Sequence, residues 1–334
     1  MVSGAFSTVE ICRRFYEEYG AKMIRDHFPE YENRIAAGLV GEGSECFGYD
    51  DGISRDHDFG LGFCMWLCKE DAEKIGPELA WAYEELLKTE GAEYACKVWE
   101  NESLRSQSGT ADRLSTRRGV MEIASFYGNI LRLSPDLSLI LDRQYWVYAE
   151  PRFLATAVNG QVFRDDLGLF SSVRKAILDF YPAPVFRLKL AEQLHLFSHG
   201  GQSNYPRMMA RKDHVAARLC IDQTIQSAMN IAFLLARKYP PYYKWIFRAL
   251  KDLPVLPGLP PLLEELVRLP VQAEIWETLT YTPTVVFTQD PVIRVVEEMA
   301  ALFVQEMNRQ NLIKGSELFL ESYVPGLADP VRQR

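Results

Sequence analysis

Two aspartates separated by one residue, in the run Asp56-His57-Asp58, have a spacing that suits metal chemistry. They begin a segment, residues 56–68, whose loose alternation of apolar and polar side chains predicts a β-strand. Side chains alternate between the faces of a strand, so Asp56 and Asp58 are expected on one face and His57 on the other. Adjacent like charges are destabilising without a cation, and carboxylate oxygens suit Mg²⁺. The run predicts a site for two ions about 4 Å apart, although a solvated loop with two ordinary acids has the same pattern.

A glycine-rich turn lies upstream of these aspartates. The apolar segment 36–40 predicts a short strand, and Gly41-Glu42-Gly43-Ser44 follows it. Glycines let backbone N–H groups approach an anion closely, and a serine hydroxyl adds a further donor. The turn therefore predicts a phosphate-binding site at Gly43 and Ser44. A tight turn followed by a helix cap is the alternative interpretation.

The combination of Gly43-Ser44 with Asp56-x-Asp58 resembles the signature of the polymerase-β-like nucleotidyltransferase superfamily. The resemblance implies that the aspartates hold Mg²⁺ on a nucleoside triphosphate, whose β and γ phosphate oxygens bind the backbone of the turn. It also implies a third carboxylate on a neighbouring strand, and Glu122 is the best-placed candidate. Glu122 would complete the metal coordination or take the proton from the attacking hydroxyl. An acid within an apolar strand either binds metal or faces solvent, and both interpretations stay open here.

Four segments, the first of which contains this motif, carry a resemblance that covers most of the chain. They are GSECFGYDDGISRDHDFG (43–60), NGQVFRDDLG (159–168), SNYPRMMARKDHVAARL (203–219) and RKYPPYYKW (237–245). These segments are similar to an uncharacterised bacterial family of nucleotidyltransferase-like domains of unknown function. The helical second half is also similar to the domain that follows the catalytic domain in aminoglycoside and lincosamide nucleotidyltransferases. The resemblances imply the class of reaction and leave the acceptor unspecified.

The second half of the chain contains a polar stripe at helical spacing. Its members are Arg207, Arg211, His214, Arg218, Asp222 and Gln226. A stripe of this kind lines a ligand pocket or forms an ordinary solvent-facing surface. Within and near it, Arg211 and Lys244 are predicted to bind nucleotide phosphate, while Lys244 can also simply extend to solvent at a helix start. The predicted acceptor or cleft residues are Asn204, Tyr205 and Asp213.

Histidine and cysteine spacing favours structural roles. His195 and His199 are four residues apart, but no third ligand or HExxH pattern accompanies them, so helix packing or surface exposure is the preferred interpretation. The six cysteines show no CxxC pair and no zinc spacing. Cys46 and Cys64, on either side of the aspartates, have no basic neighbour in the sequence that would activate a thiolate and are assigned to packing.

The order of the predicted helices and strands indicates an α+β fold. A small mixed-sheet nucleotidyltransferase domain is expected over residues 1–165, followed by an all-α helical bundle over residues 166–334. The predicted elements are a helical region at 8–37, strands at 36–40, 56–68, 94–99 and 119–126, a helix at 71–90, a loop at 103–118, and helices from 171 onward.

Composition limits the partners. The 334 residues are 48% hydrophobic and 25% charged, with a net charge of −8. An acidic protein has no field that attracts a polyanion, so long nucleic acid is not expected as a substrate, whereas a nucleoside triphosphate brings its own magnesium. No export signal is recognised, the most apolar stretch (215–236) is interrupted by polar residues, and reduced thiols in a cytoplasmic protein without membrane contact are expected.

Together these patterns predict a Mg²⁺-dependent nucleotidyltransferase. It would move a nucleoside monophosphate, with AMP as the expected group, from a nucleoside triphosphate to a small hydroxylated acceptor and release pyrophosphate. Two alternatives stay open: a transferase that places AMP on a partner protein, and a non-catalytic nucleotide-binding or regulatory module. The sequence specifies neither the acceptor nor the nucleobase of the donor nucleotide. It also leaves open which residue is the general base and what the oligomeric state is.

Overall fold

The computed structural model describes residues 7–51, 53, 60–99, 118–133 and 143–329. The chain divides into two compact units, Met1–Asp179 and Phe180–Arg334. A small mixed sheet in the N-terminal region and a helical C-terminal region confirm the predicted fold class. The domain boundary at residue 165 stays a prediction, and the helix at Leu169–Leu178 lies with the first unit.

The sheet of the first unit has the strand order β3-β2-β1-β4. Its strands are β1 (Ala36–Leu39), β2 (Cys64–Leu67), β3 (Gly119–Glu122) and β4 (Gln161–Arg164). Strand β1 pairs antiparallel with both β2 and β4, whereas β2 pairs parallel with β3. The register places Leu67 opposite Glu122. All four residues of β1 and of β2 are buried, so these two strands belong to the core.

Helices pack around this sheet. The described helices of the first unit are α1 (Thr8–Phe15), α2 (Ala21–His27), α3 (Lys69–Leu86), α4 (Ala92–Trp99), α5 (Ile123–Leu131), α6 (Arg143–Tyr148), α7 (Pro151–Ala157) and α8 (Leu169–Leu178). Phe15 of α1, Phe63 before β2 and Tyr83 of α3 meet in one aromatic core.

Trp66 on β2 links the sheet to α8. Its ring is fully buried and stacks on Phe170 with a centroid distance of 3.8 Å. Gly38 on the neighbouring strand makes room, because a Cβ there would lie 3.0 Å from the Trp66 ring and 2.5 Å from the carbonyl oxygen of Gln161. This contact explains why α8 lies with the first unit.

Several predicted elements differ from the structure. The strand predicted at 94–99 is wrong, because these residues belong to α4, where Glu93 and Lys97 form an ion pair of 2.7 Å across one helical turn. A short aromatic run does not distinguish a strand from a helix. The strand predicted at 119–126 ends at Glu122, where α5 begins.

Two other predicted elements are shorter than expected. The region 8–37 is not one helix but α1 and α2 joined by the π-helical turn Tyr16–Gly20, followed by the 3₁₀ helix Pro29–Arg34. Within the strand predicted at 56–68, only Cys64–Leu67 forms a described strand, and residues 54–59 lie outside the described part of the chain. Strand β4 was not predicted at all.

The second unit is built from helices around one long central helix. The described helices are α9 (Ala183–Phe197), α10 (Tyr205–Ala210), α11 (His214–Leu235), α12 (Tyr243–Leu250), α13 (Leu259–Arg268), α14 (Pro291–Arg309) and α15 (Val324–Ala328). Helix α11 packs along α9 and also contacts α14. None of the described helices is long and apolar enough to cross a membrane.

The turn before β4 generates a stability prediction. Gly160 has φ +61°, and a Cβ there would lie 1.9 Å from the carbonyl oxygen of Leu39 on β1. The substitution Gly160→Ala must therefore move β4 away from β1, in addition to the left-handed strain of about 1–2 kcal/mol. We expect it to lower the free energy of unfolding by about 3 kcal/mol or more, measured by urea denaturation with circular dichroism.

Gly168 supplies a matched control. Its φ is +68°, but a Cβ would meet no atom within 4 Å. Gly168→Ala should therefore cost only the left-handed strain of about 1–2 kcal/mol. Equal losses in the two variants would contradict the close approach of β4 to β1 at Gly160.

Candidate functional site

The turn predicted to bind phosphate directly follows β1. Gly41 has φ +120° and Gly43 has φ +126°, a region that residues with a side chain rarely adopt. Ser44 then precedes the 3₁₀ helix Glu45–Phe47, without a side-chain cap hydrogen bond. A Cβ at Gly43 would lie 2.5 Å from the carboxylate oxygens of Glu45, so glycine is required there.

Asn159 fixes the first residue of this turn. Its Oδ1 accepts a hydrogen bond of 2.8 Å from the N–H of Gly41, and its Nδ2 donates a bond of 2.7 Å to the Gly41 carbonyl. The next residue, Gly160, donates its N–H to the Cys46 carbonyl at 2.7 Å. The Asn159-Gly160 pair therefore holds the turn at both ends.

The hydrogen bonds of Asn159 determine which N–H groups of the turn are available to bind a ligand. The N–H of Gly41 is already used by Asn159. In the described part of the chain, no acceptor receives a hydrogen bond from the N–H of Gly43 or Ser44. Two backbone donors and the Ser44 hydroxyl at the end of a strand form an arrangement that can bind an anion.

A buried ion pair holds the far side of the turn. The Nη2 of Arg118 lies 2.8 Å from the Oε1 of Glu45, and only 6% and 8% of the two side chains are exposed. Nη1 of the same guanidinium donates a hydrogen bond to the carbonyl of Gly60. Gly60 follows Asp58 by two residues in the sequence, and Arg118 directly precedes β3. One guanidinium thus joins the turn, the start of β3 and the segment that follows the aspartate motif.

The cysteine thiols near Arg118 are uncharged, so Glu45 is the negatively charged group that pairs with it. Burial raises the pKa of the Cys12 and Cys46 thiols and raises the pKa of Cys64 to about 12. These thiols are therefore protonated near neutral pH and are poor nucleophiles. Their burial agrees with the packing role assigned to Cys46 and Cys64.

Asp50 has a structural partner as well. Its Oδ2 accepts a hydrogen bond of 3.0 Å from the N–H of Thr8 and a second one from the Thr8 hydroxyl. A carboxylate at this position satisfies an unpaired N–H in the first turn of α1. Asp50 therefore connects the segment after the 3₁₀ helix to the start of α1.

Of the three predicted carboxylates, only that of Glu122 belongs to the described part of the chain. Asp56 and Asp58 lie outside the described residues. Glu122 is the last residue of β3, lies opposite Leu67 at the end of β2, and accepts a hydrogen bond of 2.6 Å from the Ser125 hydroxyl. The chain enters β2 at Cys64, so Glu122 lies at the far end of that strand from the segment that carries the aspartates.

The predicted phosphate-binding cations lie on the surface of the second unit. Arg211 is exposed at the end of α10, and its N–H donates to the carbonyl of Arg207. Lys244 is exposed in the first turn of α12, with its Nζ 5.2 Å from the centroid of the Trp245 ring. Both side chains are accessible to a ligand.

The predicted acceptor residues have structural partners. Asn204 is half-buried, and its Oδ1 accepts a bond of 3.3 Å from Arg207. Asp213 caps α11 by accepting the N–H of Ala216 at 3.0 Å.

Tyr205 is fully buried and lies in the core of the second unit. Its hydroxyl is 3.0 Å from the Oδ2 of Asp290, which also accepts a bond of 2.8 Å from the indole N–H of Trp276. Burial, followed by the nearby charge of Asp290, raises the pKa of Tyr205. Tyr205 therefore joins α10 to the start of α14.

The polar stripe of the second half lies largely on the outer side of its helices. His214 and Gln226 are exposed, and Arg218 and Asp222 form an exposed ion pair of 3.4 Å on α11. Pairs of this kind contribute little to stability. The solvent-facing interpretation explains these contacts.

The residues that hold the turn were not predicted from the sequence. Asn159 and Gly160 begin one of the four family-like segments, which was a usable signal, but their contact with Gly41 is formed across 118 residues. Glu45 and Arg118 gave no signal, because their pairing spans 73 residues and Arg118 ended a stretch predicted to be a loop.

Comparison with known proteins agrees with part of the resemblance. Residues 146–246 match the model of a domain of unknown function, DUF4037. No curated protein and no solved structure matches the chain. The matched segment includes Asn159 and Gly160, as well as Arg211 and Lys244.

The buried ion pair generates a prediction. Arg118→Met removes the guanidinium and leaves the Glu45 carboxylate buried without its partner, which costs about 3–5 kcal/mol. We expect this loss in urea denaturation, together with faster labelling of Cys46 and Cys64 by a thiol reagent in the folded protein.

Two comparisons isolate the effect of the ion pair. Lys175→Met breaks an exposed pair of 2.9 Å with Asp179 and should cost less than about 1 kcal/mol. The double variant Glu45→Gln/Arg118→Met should lose less stability than the sum of its single variants, because the carboxylate charge is then absent too. Additive losses would show that Glu45 and Arg118 do not stabilise one another.

Proposed function

We propose that this protein is a Mg²⁺-dependent nucleotidyltransferase that moves a nucleoside monophosphate, with AMP as the expected group, to a small hydroxylated acceptor. One observation carries the proposal: the guanidinium of Arg118 binds both Glu45, next to Ser44, and Gly60, two residues after Asp58. The phosphate-binding turn and the segment leaving the Asp-x-Asp motif are thereby held against the same side chain. A site for a metal-bound triphosphate needs these two segments near one another.

The proposed metal ligands suit magnesium. Asp56 and Asp58 offer only carboxylate oxygens, the ligands preferred by hard divalent ions. Glu122 is the third carboxylate that the resemblance implies, but it lies opposite Leu67, at the end of β2 away from Cys64, so the proposed metal site rests on the two aspartates. Magnesium at these residues, with two ions expected, would neutralise charge on the triphosphate and on the leaving pyrophosphate. The Glu122 carboxylate is half-buried and accepts one bond from Ser125, which leaves further lone pairs for a metal or a proton.

The amides of Gly43 and Ser44 are proposed to bind oxygens of the β and γ phosphates. In the reaction, the acceptor hydroxyl oxygen forms a bond to the α phosphorus, and the bond from this phosphorus to the bridging oxygen of pyrophosphate breaks. The hydroxyl proton passes to a base, for which Glu122 is the candidate. The two amides would stabilise the charge that develops on pyrophosphate without reorganising, because Asn159 and Arg118 hold their turn in place.

The second unit is proposed to contribute to substrate binding. Arg211 and Lys244 are exposed cations suited to phosphate, and Asn204 and Asp213 are candidates for contacts with the acceptor. Tyr205 is fully buried, so it would act only by supporting its neighbours. The net charge of −8 favours a small acceptor over long nucleic acid.

The proposal predicts nucleotide binding that requires both magnesium and the aspartates. The thermal midpoint is measured with ATP, GTP, CTP and UTP, each with and without Mg²⁺. At least one nucleotide should stabilise the protein in the presence of Mg²⁺, by about 2.7 kcal/mol at a hundredfold excess over Kd. The variant Asp56→Asn/Asp58→Asn should lose this stabilisation.

A charge-matched control separates the motif from net charge. Asp26 and Asp252 are exposed, so Asp26→Asn/Asp252→Asn makes the same change in charge away from the motif and should keep the shift. If no nucleotide gives a Mg²⁺-dependent shift, or if the motif variant keeps it, the proposal is wrong.

Products labelled at the α phosphate distinguish the proposed activity from its alternatives. Transfer to a small molecule, with release of pyrophosphate, supports the proposal, and Asp58→Asn should slow it at least about 100-fold. Label on a partner protein would instead favour a protein-modifying transferase. Binding without pyrophosphate release, across a panel of aminoglycoside, sugar and lysate acceptors, would favour a non-catalytic module.

A further inference from the structure

Two histidines and a glutamate meet on the surface of the second unit. His195 belongs to α9, His199 to the π-helical turn Ser198–Asn204, and Glu321 to the 3₁₀ helix Leu320–Tyr323. One potential ligand atom from each of the three lies within 4.8 Å of the others. No third ligand was predicted for these histidines, because Glu321 is 126 residues beyond His195.

The spacing of these groups is close to that of a metal site. The Nδ1 of His195 lies 2.9 Å and 3.0 Å from the two carboxylate oxygens of Glu321. The rings of His195 and His199 are 4.1 Å apart between centroids. A tetrahedral ion with bonds of 2.0–2.1 Å places neighbouring ligand atoms about 3.4 Å apart, so small side-chain movements would suffice.

Tight packing fixes the backbone that carries His199. A Cβ on Gly200 would lie 2.7 Å from the Thr224 hydroxyl, and a Cβ on Gly201 would lie 2.8 Å from a methyl group of Val296. The two glycines let the π-helical turn lie directly against α11 and α14. π-helical turns of this kind frequently occur at functional sites.

Gln202, in the same turn, positions the segment that carries Glu321. Its Nε2 donates to the Leu318 carbonyl at 2.8 Å and to Glu297 at 3.1 Å. Its Oε1 accepts the N–H of Leu320 at 3.0 Å. One side chain thus binds the backbone on either side of Phe319, two residues before Glu321, so the third group is held beside the histidines.

We propose that His195, His199 and Glu321 bind a divalent transition-metal ion of the Zn²⁺ type, with water at the fourth position. Two imidazole nitrogens and one carboxylate are ligands typical of zinc, whereas magnesium prefers oxygen alone. The site is therefore distinct from the magnesium site of the proposed function. A bound ion would connect the segment around Glu321 to α9 and stabilise the second unit.

The experiment uses the full-length protein, stripped of metal by a chelator. Zn²⁺ binding is measured by calorimetry in excess Mg²⁺, and Co²⁺ is added separately to record its visible absorption. We expect saturable Zn²⁺ binding, Co²⁺ bands typical of four-coordination, and a Zn²⁺-dependent rise in the thermal midpoint. His199→Ala and Glu321→Gln should each weaken Zn²⁺ binding at least about tenfold, since even residues behind the ligands contribute this much.

His214→Ala is the matched control. His214 is exposed at the start of α11 and lies outside the cluster, so its removal should leave Zn²⁺ affinity unchanged. His199 is also exposed, and circular dichroism checks that its variant is folded. Absence of saturable Zn²⁺ binding, or equal affinity in the cluster variants and the wild type, would overturn the proposal and leave His195 and Glu321 as a simple hydrogen-bonded pair.

Discussion

Two buried charged groups must be paired with each other, and their remaining hydrogen-bonding atoms also need partners. The guanidinium of Arg118 and the carboxylate of Glu45 form such a buried pair. The carbonyl of Gly60 is the further acceptor. Because all three groups must meet, the turn after β1, the chain before β2 and the start of β3 are brought together. Burial keeps the neighbouring thiols of Cys12, Cys46 and Cys64 protonated, so none of them supplies a negative charge in place of Glu45.

Features encoded by local sequence were largely predictable. The glycines of the turn, the buried strand β1 and the helices of the second half follow from residue type and spacing. The contacts that hold the candidate sites were not predictable, because Glu45 with Arg118, Asn159 with Gly41, and His195 with Glu321 join residues 73, 118 and 126 positions apart. The helix at Ala92–Trp99 was mistaken for a strand because its apolar run is too short to show a period.

Irregular backbone supports both candidate sites, each within its own unit. In the first unit, glycines at positive φ present the amides of Gly43 and Ser44, and the Asn159 side chain fixes the start of this turn at Gly41. In the second unit, a π-helical turn presents His199, and Gln202 fixes the segment that carries Glu321. Strained or irregular backbone persists where surrounding contacts over-determine it, and such places are enriched in binding sites.

The most direct measurement is a crystal structure with Mn²⁺ and a non-hydrolysable analogue of the nucleotide that gives the strongest Mg²⁺-dependent stabilisation. Anomalous scattering locates the manganese, which replaces magnesium at carboxylate ligands. We expect manganese bound by Asp56 and Asp58, with phosphate oxygens on the N–H groups of Gly43 and Ser44. Phosphates bound elsewhere, or manganese held without either aspartate, would contradict the assignment of this turn and motif to one nucleotide site.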